Sequence, residues 1–196
     1  MDWLLAVTGF ALAMSITPGP NNIMVTASAA NFGMVRTVPH MLGISVGFPA
    51  MLVALGLGPG RLLVAFPEAH LALKIAGAAY LIFLASKIAG ASGIGEGRER
   101  GRPFTFLQAA LFQWLNPKAW VIALGALTAY TTVGGAVVTE TLLISAIFVP
   151  ICVIACTVWA AGGVALQRAL QSPAALRAFN WAMALLLLAS LVPMLV

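Results

Sequence analysis

The chain has 196 residues, of which 62% are hydrophobic and 8% charged, with a formal net charge of +5 and a mean hydropathy of +1.04. A soluble domain carries about 25% charged residues, so this chain cannot cover a globule with polar surface and reads as an integral membrane protein. Its basic residues are scattered at the ends of apolar segments, which argues against nucleic acid as a partner and leaves the lipid bilayer as the surrounding phase.

Charges and prolines divide the sequence into six apolar segments, each near the roughly 20 residues that span a bilayer. The first runs from about Trp3 to Asn31. Its start holds Asp2 and no Lys or Arg, unlike the basic start of a secretory signal, so it is read as a retained helix. Deep inside it lies Thr17-Pro18-Gly19-Pro20-Asn21-Asn22. Two prolines around a glycine remove two backbone donors and admit non-helical dihedrals, so the helix should break there. In lipid such a turn is tolerated only where protein buries it or a cavity opens on it. The second segment, from about Met41 to Gly58, contains Pro49. The third, from about Pro67 to Gly90, holds Lys74 and Lys87, which can snorkel towards opposite interfaces. The fourth runs from Phe104 to about Tyr130 and is interrupted at Asn116-Pro117-Lys118. The fifth, from Thr141 to about Leu166, contains Pro150, and the sixth runs from Ala178 to Val196.

Pro18 and Pro117 are 99 positions apart, and in that register Ala11 falls on Ala110 and Leu12 on Leu111. Pro49 and Pro150 each fall in the second segment of their half. Two interrupted segments in corresponding halves point to a transporter's binding site. The expected fold is therefore an all-α membrane protein with one transmembrane domain over 1–196. It has six transmembrane helices as two inverted three-helix repeats, 1–90 and 104–196, joined by a linker over 91–103, with helices 1 and 4 interrupted. Loops one, three and five hold Arg36; Arg98, Arg100 and Arg102; and Arg168 and Arg177, against Arg61 and Lys74 on the other side. The positive-inside rule then puts the linker in the cytoplasm and both termini in the periplasm.

Each break creates a helix N-terminus inside the membrane, whose first N–H groups lack intrahelical partners. Asn116 suits an N-cap and Pro117 the first helical position. Such an end carries about half a positive charge and attracts anions such as a carboxylate. Lys118 is the ionisable residue nearest the middle of its span, where a charge costs roughly 2.5–3.5 kcal/mol on insertion scales and is usually functional. The bland alternative is that the prolines only kink the helices and Lys118 reaches a carbonyl or an interface.

Asn22 and Thr26 share one helix face, and Gln113, Asn116 and Trp120 another. Trp114 and Trp120 lie too deep for the interfacial belt that suits Trp3, and either wall a cavity or simply pack. Gly43 and Gly47 form a small-xxx-small pattern that could pair two protomers as a homodimer, although packing within the bundle is commoner. Cys152 and Cys156 sit one turn apart. As a redox pair they would lack a basic partner, and free cysteine usually behaves as a small buried hydrophobe. No His, Cys, Asp or Glu cluster has metal-ligand spacing, and no Ser/His/Asp arrangement is visible. Neither a metal, a cofactor nor enzymatic catalysis is expected.

Ser15 to Asn22 (SITPGPNN), Met24 to Ser28 (MVTAS), Asn31 to Gly33 (NFG), His40 to Ser45 (HMLGIS) and Asn116 to Trp120 (NPKAW) resemble the LysE/RhtB superfamily of amino-acid exporters. The resemblance covers the whole chain, and TPGP and NPKAW are its most specific parts. It implies a bacterial inner-membrane transporter with six helices that expels amino acids or their derivatives. Pro18, Gly19, Pro20, Asn21, Asn116, Pro117 and Lys118 are the motif residues it carries over. The expected substrate site is Thr17, Pro18, Gly19, Pro20, Asn21, Asn22, Gln113, Asn116, Pro117 and Lys118. The helix N-termini and Lys118 would hold the carboxylate of a small amino acid, while Asn21, Asn22, Asn116 and freed carbonyls receive its ammonium group. The membrane interior offers no Asp or Glu, which favours neutral substrates such as threonine, homoserine or cysteine-like compounds, moved by alternating access. Two rival readings are an intramembrane thiol redox protein using Cys152 and Cys156, and a non-transporting membrane subunit. A neutral replacement of Lys118 is expected to insert and fold normally, because it sheds a buried charge.

Overall fold

The computed structural model describes residues 2–58, 67–90, 102–132, 136–169 and 172–192, and all regular structure among them is helical. In chain order the helices are α1 (Asp2–Ile16), α2 (Pro20–Phe32), α3 (Met34–Gly56) and α4 (Pro67–Ala89). Then follow α5 (Phe106–Phe112), a 3-10 turn (Gln113–Leu115), α6 (Pro117–Tyr130), α7 (Val137–Ala169) and α8 (Pro173–Ala189). By length and composition α3 and the Val137–Leu166 stretch of α7 can each cross a membrane. The pair α1 and α2, bent by 54° at its break, makes a third candidate crossing. Most of the expected linker, including Arg98 and Arg100, lies outside the described residues, as does Arg61.

Both expected breaks are present, but several helix boundaries differ from the sequence reading. The second helix begins at Met34 rather than Met41, because one residue makes the whole connection from α2. Gly33 adopts φ 80° and ψ 168° and donates its N–H to Ala29 O at 2.9 Å, a conformation that glycine reaches without steric cost. Thr37 then anchors the first turn of α3, its hydroxyl 2.9 Å from Gly33 O and 3.1 Å from Ser28 Oγ. Arg36 is therefore helical, with its guanidinium 5.4 Å from the Phe32 ring centre. The fifth and sixth segments likewise start early, at Val137 and at Pro173. Ser172 caps the last helix by accepting from Ala175 N at 3.1 Å. Thr105 and Gln108 close the start of α5 as a reciprocal capping box.

The antiparallel helices α3 and α7 form the central pair, with α2 and α1 packed on α7, α5 on α3, and α4 on α8. Gly43 lies against Phe106 O and Gly47 against Ala110, so neither leaves room for a side chain. That small-residue stripe is thus used inside the chain, between α3 and α5. One apolar cluster, including Met51, Leu52, Ile144 and the edge-on pair Phe48–Phe148 at 5.0 Å, joins α1, α3, α6 and α7. A second, around Ile23, Leu81, Leu84, Phe112 and Leu187, joins α2, α4, α5 and α8. Large apolar side chains such as Leu5 (66% exposed) and Val121 (65%) point outward, as a lipid-facing surface requires.

Candidate functional site

Unwinding a helix in a membrane exposes carbonyls that water cannot satisfy, so the first break is best read by finding a donor for each. Met14 O accepts from Thr17 Oγ1 at 3.0 Å. Ser15 O accepts from Asn22 Nδ2 at 2.9 Å. Ile16 O accepts from the indole of Trp159, on α7, at 3.1 Å. Thr17 O takes Asn22 Nδ2 at 2.8 Å and Lys118 Nζ at 2.6 Å. Pro18 O takes Lys118 Nζ at 3.2 Å. The ammonium of Lys118 also meets Thr17 Oγ1 at 2.8 Å, which uses its three donors. Lys118 therefore reaches from the second break to the first and ties them together.

A second tie runs beside it. The Asn21 and Gln113 side-chain amides pair reciprocally at 2.9 and 3.3 Å, and Gln113 Nε2 also donates to Ala109 O at 2.8 Å. Gln113 is completely buried. Gly19 is needed where it stands: a Cβ there would lie 2.5 Å from Lys118 Cδ. A side chain at that residue would push the Lys118 strut aside.

The two helix starts differ in what they leave open. At the second, Asn116 Oδ1 accepts from Lys118 N at 3.1 Å. Asn116 O accepts from Ala119 N at 3.0 Å and Trp120 N at 3.3 Å. Pro117 has no N–H, so this end is closed. At the first, the N-cap is Gly19, extended at φ −176°, with no side chain to cap. Ile23 N reaches Gly19 O at 3.0 Å, and Pro20 has no N–H. The backbone N–H groups of Asn21 and Asn22 are left without an acceptor among the described residues. Of the two breaks, only the start of α2 thus leaves helix N–H groups unpaired among the described residues, the arrangement that attracts anions.

A cavity of about 40 Å³ opens at this point. Met14, Ser15, Gly19, Asn21, Asn22, Asn116 and Lys118 line it from the two breaks. Ile44 and Phe48 of α3, Ile122 of α6, and Cys152, Ala155 and Cys156 of α7 also line it. A zwitterion's charged groups can be met by the first set and an uncharged side chain by the second.

The sequence model of the LysE type translocator matches residues 12–191. The chain belongs to that family. Cysteine/O-acetylserine efflux proteins of Escherichia coli strain K12, of E. coli O139:H28 (strain E24377A / ETEC) and of Shigella flexneri are each similar to it. Each is 33% identical over 128 residues, covering 65% of this chain and 65% of the relative, so the match spans just under two thirds of their length. No solved structure matches the chain.

All ten residues expected from the sequence meet at the two breaks of this translocator. Gly19, Asn21, Asn22, Asn116 and Lys118 line the cavity. Thr17 and Pro18 hold the Lys118 ammonium, Gln113 holds Asn21, and Pro20 and Pro117 open the two helices. Trp114 and Trp120 do not line it: the Trp120 indole donates to Trp114 O at 2.8 Å and the rings pack edge-on at 6.1 Å. Thr26 turns from the cavity to Trp159 O at 3.2 Å. Sequence reasoning missed Ser15, Phe48 and Trp159, and did not connect Cys152 and Cys156 with the breaks. Cys152, Cys156 and Trp159 recur at i, i+4 and i+7 on α7, a periodicity that marks one face. Both cysteines are buried free thiols. Among the described residues no group of three or more His, Cys, Asp or Glu is placed to hold a metal ion.

Proposed function

We propose that this translocator exports small neutral amino acids or their derivatives, cysteine-like compounds and O-acetylserine among them, across the bacterial inner membrane. The observation that carries the reading is the cavity at the junction of the breaks. There the unused N–H groups of Asn21 and Asn22 share the lining with Lys118, and no acidic side chain among the described residues lines the walls. The substrate carboxylate takes those N–H groups and draws Lys118 towards it. Thr17 O and Pro18 O, released by Lys118, then accept from the substrate ammonium. Loading therefore exchanges the strut between the breaks for the substrate itself, which couples occupancy to the bend between α1 and α2.

A cavity of about 40 Å³ holds roughly three waters, less than an amino acid needs. The walls must part for entry and exit, as alternating access of two inverted repeats requires. Related packing in the two halves supports that arrangement. The second helices α3 and α7 pair with one another, as do the third helices α4 and α8, and α1 packs on α7 as α5 packs on α3.

Protein reconstituted in liposomes and offered a panel of amino acids tests the proposal. Threonine, homoserine, cysteine or O-acetylserine should move in preference to lysine and arginine, since a second positive charge finds no counter-ion. Faster flux of arginine than of any neutral substrate would refute the charge preference; no flux at all would leave a non-transporting subunit. Orientation has its own check in cells. A Gly95→Cys probe, in the linker, should react with an impermeant thiol reagent only from the cytoplasmic side, and reaction from the periplasm would reverse the topology.

A further inference from the structure

We infer that Cys152 and Cys156, with Ile44 and Phe48 facing them, form the subsite for the substrate's side chain, and that it takes a compact uncharged group the size of a thiol or a short ester. This rests on the export reading above and assigns the half of the cavity that reading leaves unused. An α-amino acid carries its carboxylate and ammonium on one carbon. Once both are held by Asn21, Asn22, Lys118 and the released carbonyls, the side chain is left to the rest of the lining. That part is made by two cysteines one turn apart on α7, with Ala155 between them, and by Ile44 and Phe48 of α3. Thiols are weak donors and polarisable, so they pack well against sulfur or an acetyl ester. A charged side chain there would be buried without a partner, which is strongly unfavourable. Phe48 limits the depth of the subsite, because it packs edge-on against the fully buried Phe148 at 5.0 Å.

These are the chain's two cysteines, so thiol chemistry on the wild-type protein reports on this wall and nothing else. The test uses proteoliposomes and O-acetylserine, which has no thiol to consume the reagent. Alkylation by N-ethylmaleimide, followed by intact mass, should reach both residues as the transporter cycles. O-acetylserine at about nine times its half-saturating concentration should slow that alkylation about tenfold by occupancy, whereas lysine should not. Cys156→Leu adds bulk to the wall and should cut O-acetylserine flux about tenfold or more relative to the shortest neutral substrate the wild type moves. Cys156→Ser, close to isosteric, should keep the wild-type order of substrates. Protection together with the selectivity change supports the subsite. Transport of O-acetylserine with no alkylation, no protection or an unchanged order in Cys156→Leu overturns it and leaves export standing. Absence of any amino-acid flux overturns both.

Discussion

Lys118→Met is expected to lose most transport and also to lower the thermal stability of the bundle. On sequence grounds alone the second effect should be absent, because methionine keeps the apolar stem and removes a charge that costs roughly 2.5–3.5 kcal/mol at mid-membrane. The structure reverses that expectation. The ammonium donates to Thr17 O, Thr17 Oγ1 and Pro18 O, and hydrogen bonds to charged groups are worth roughly 1.5–3 kcal/mol each. Thr17 O keeps Asn22 Nδ2, but Pro18 O is left with no donor among the described residues. The lost bonds outweigh the relieved charge, for a net destabilisation of about 1–6 kcal/mol. Substrate binding should weaken by roughly 2–5 kcal/mol, the usual cost of deleting one partner of a desolvated charge pair. Lys118→Arg should restore only part of either, since a planar fork does not replace a compact ammonium. Efflux at matched membrane levels and thermal unfolding in detergent read the two effects separately. Unchanged affinity and rate in Lys118→Met would sink the carboxylate role, and an unchanged unfolding temperature would sink the strut.

What could be read in the sequence follows from how local the physics is. Pro18-Gly19-Pro20 and Asn116-Pro117 announce the breaks, because missing donors and fixed φ angles act on the residues that carry them. The N-cap at Asn116 is equally local. The donors that close the breaks are not: Trp159 lies 143 positions from Ile16, and Lys118 lies 101 from Thr17. Only the packing of α6 and α7 against α1 brings them together. Treating the breaks as equivalent by register also concealed a difference the sequence does contain. Asn116 brings its own cap and Gly19 cannot, so one helix start is closed and the other keeps unpaired N–H groups among the described residues. The misplaced start of α3 has a related cause. Arg36, Pro39 and His40 look like loop residues, yet a single positive-φ glycine makes the turn and leaves them helical.

The adjacent glycines of α7 give the sharpest test of the packing that shapes the cavity. Gly163→Ala is expected to destabilise the protein and abolish transport, whereas Gly162→Ala should be harmless. A Cβ at position 163 would meet Thr26 O on the backbone of α2, with Ala29 Cβ at 3.0 Å behind it. A backbone oxygen cannot rotate aside, so α2 and α7 must separate. A hydrogen bond spans that same crossing, Thr26 Oγ1 to Trp159 O at 3.2 Å, and beside it the Trp159 indole donates to Ile16 O, at the end of α1, at 3.1 Å. Separation stretches the first and pulls the second from the end of α1. It also lifts Cys152 and Cys156 away from Asn21 and Asn22, so both halves of the site lose register together. Overpacking of this kind costs about 1–3 kcal/mol. At position 162 an added Cβ meets nothing within 4 Å among the described residues, and alanine over glycine favours a helix by up to about 1 kcal/mol. The two variants therefore add the same methyl group one residue apart and should move the unfolding temperature in opposite directions. Equal stability and equal flux in both would mean that α2 and α7 do not cross as closely as Gly163 allows, and the cavity would lose the wall on which side-chain selection depends.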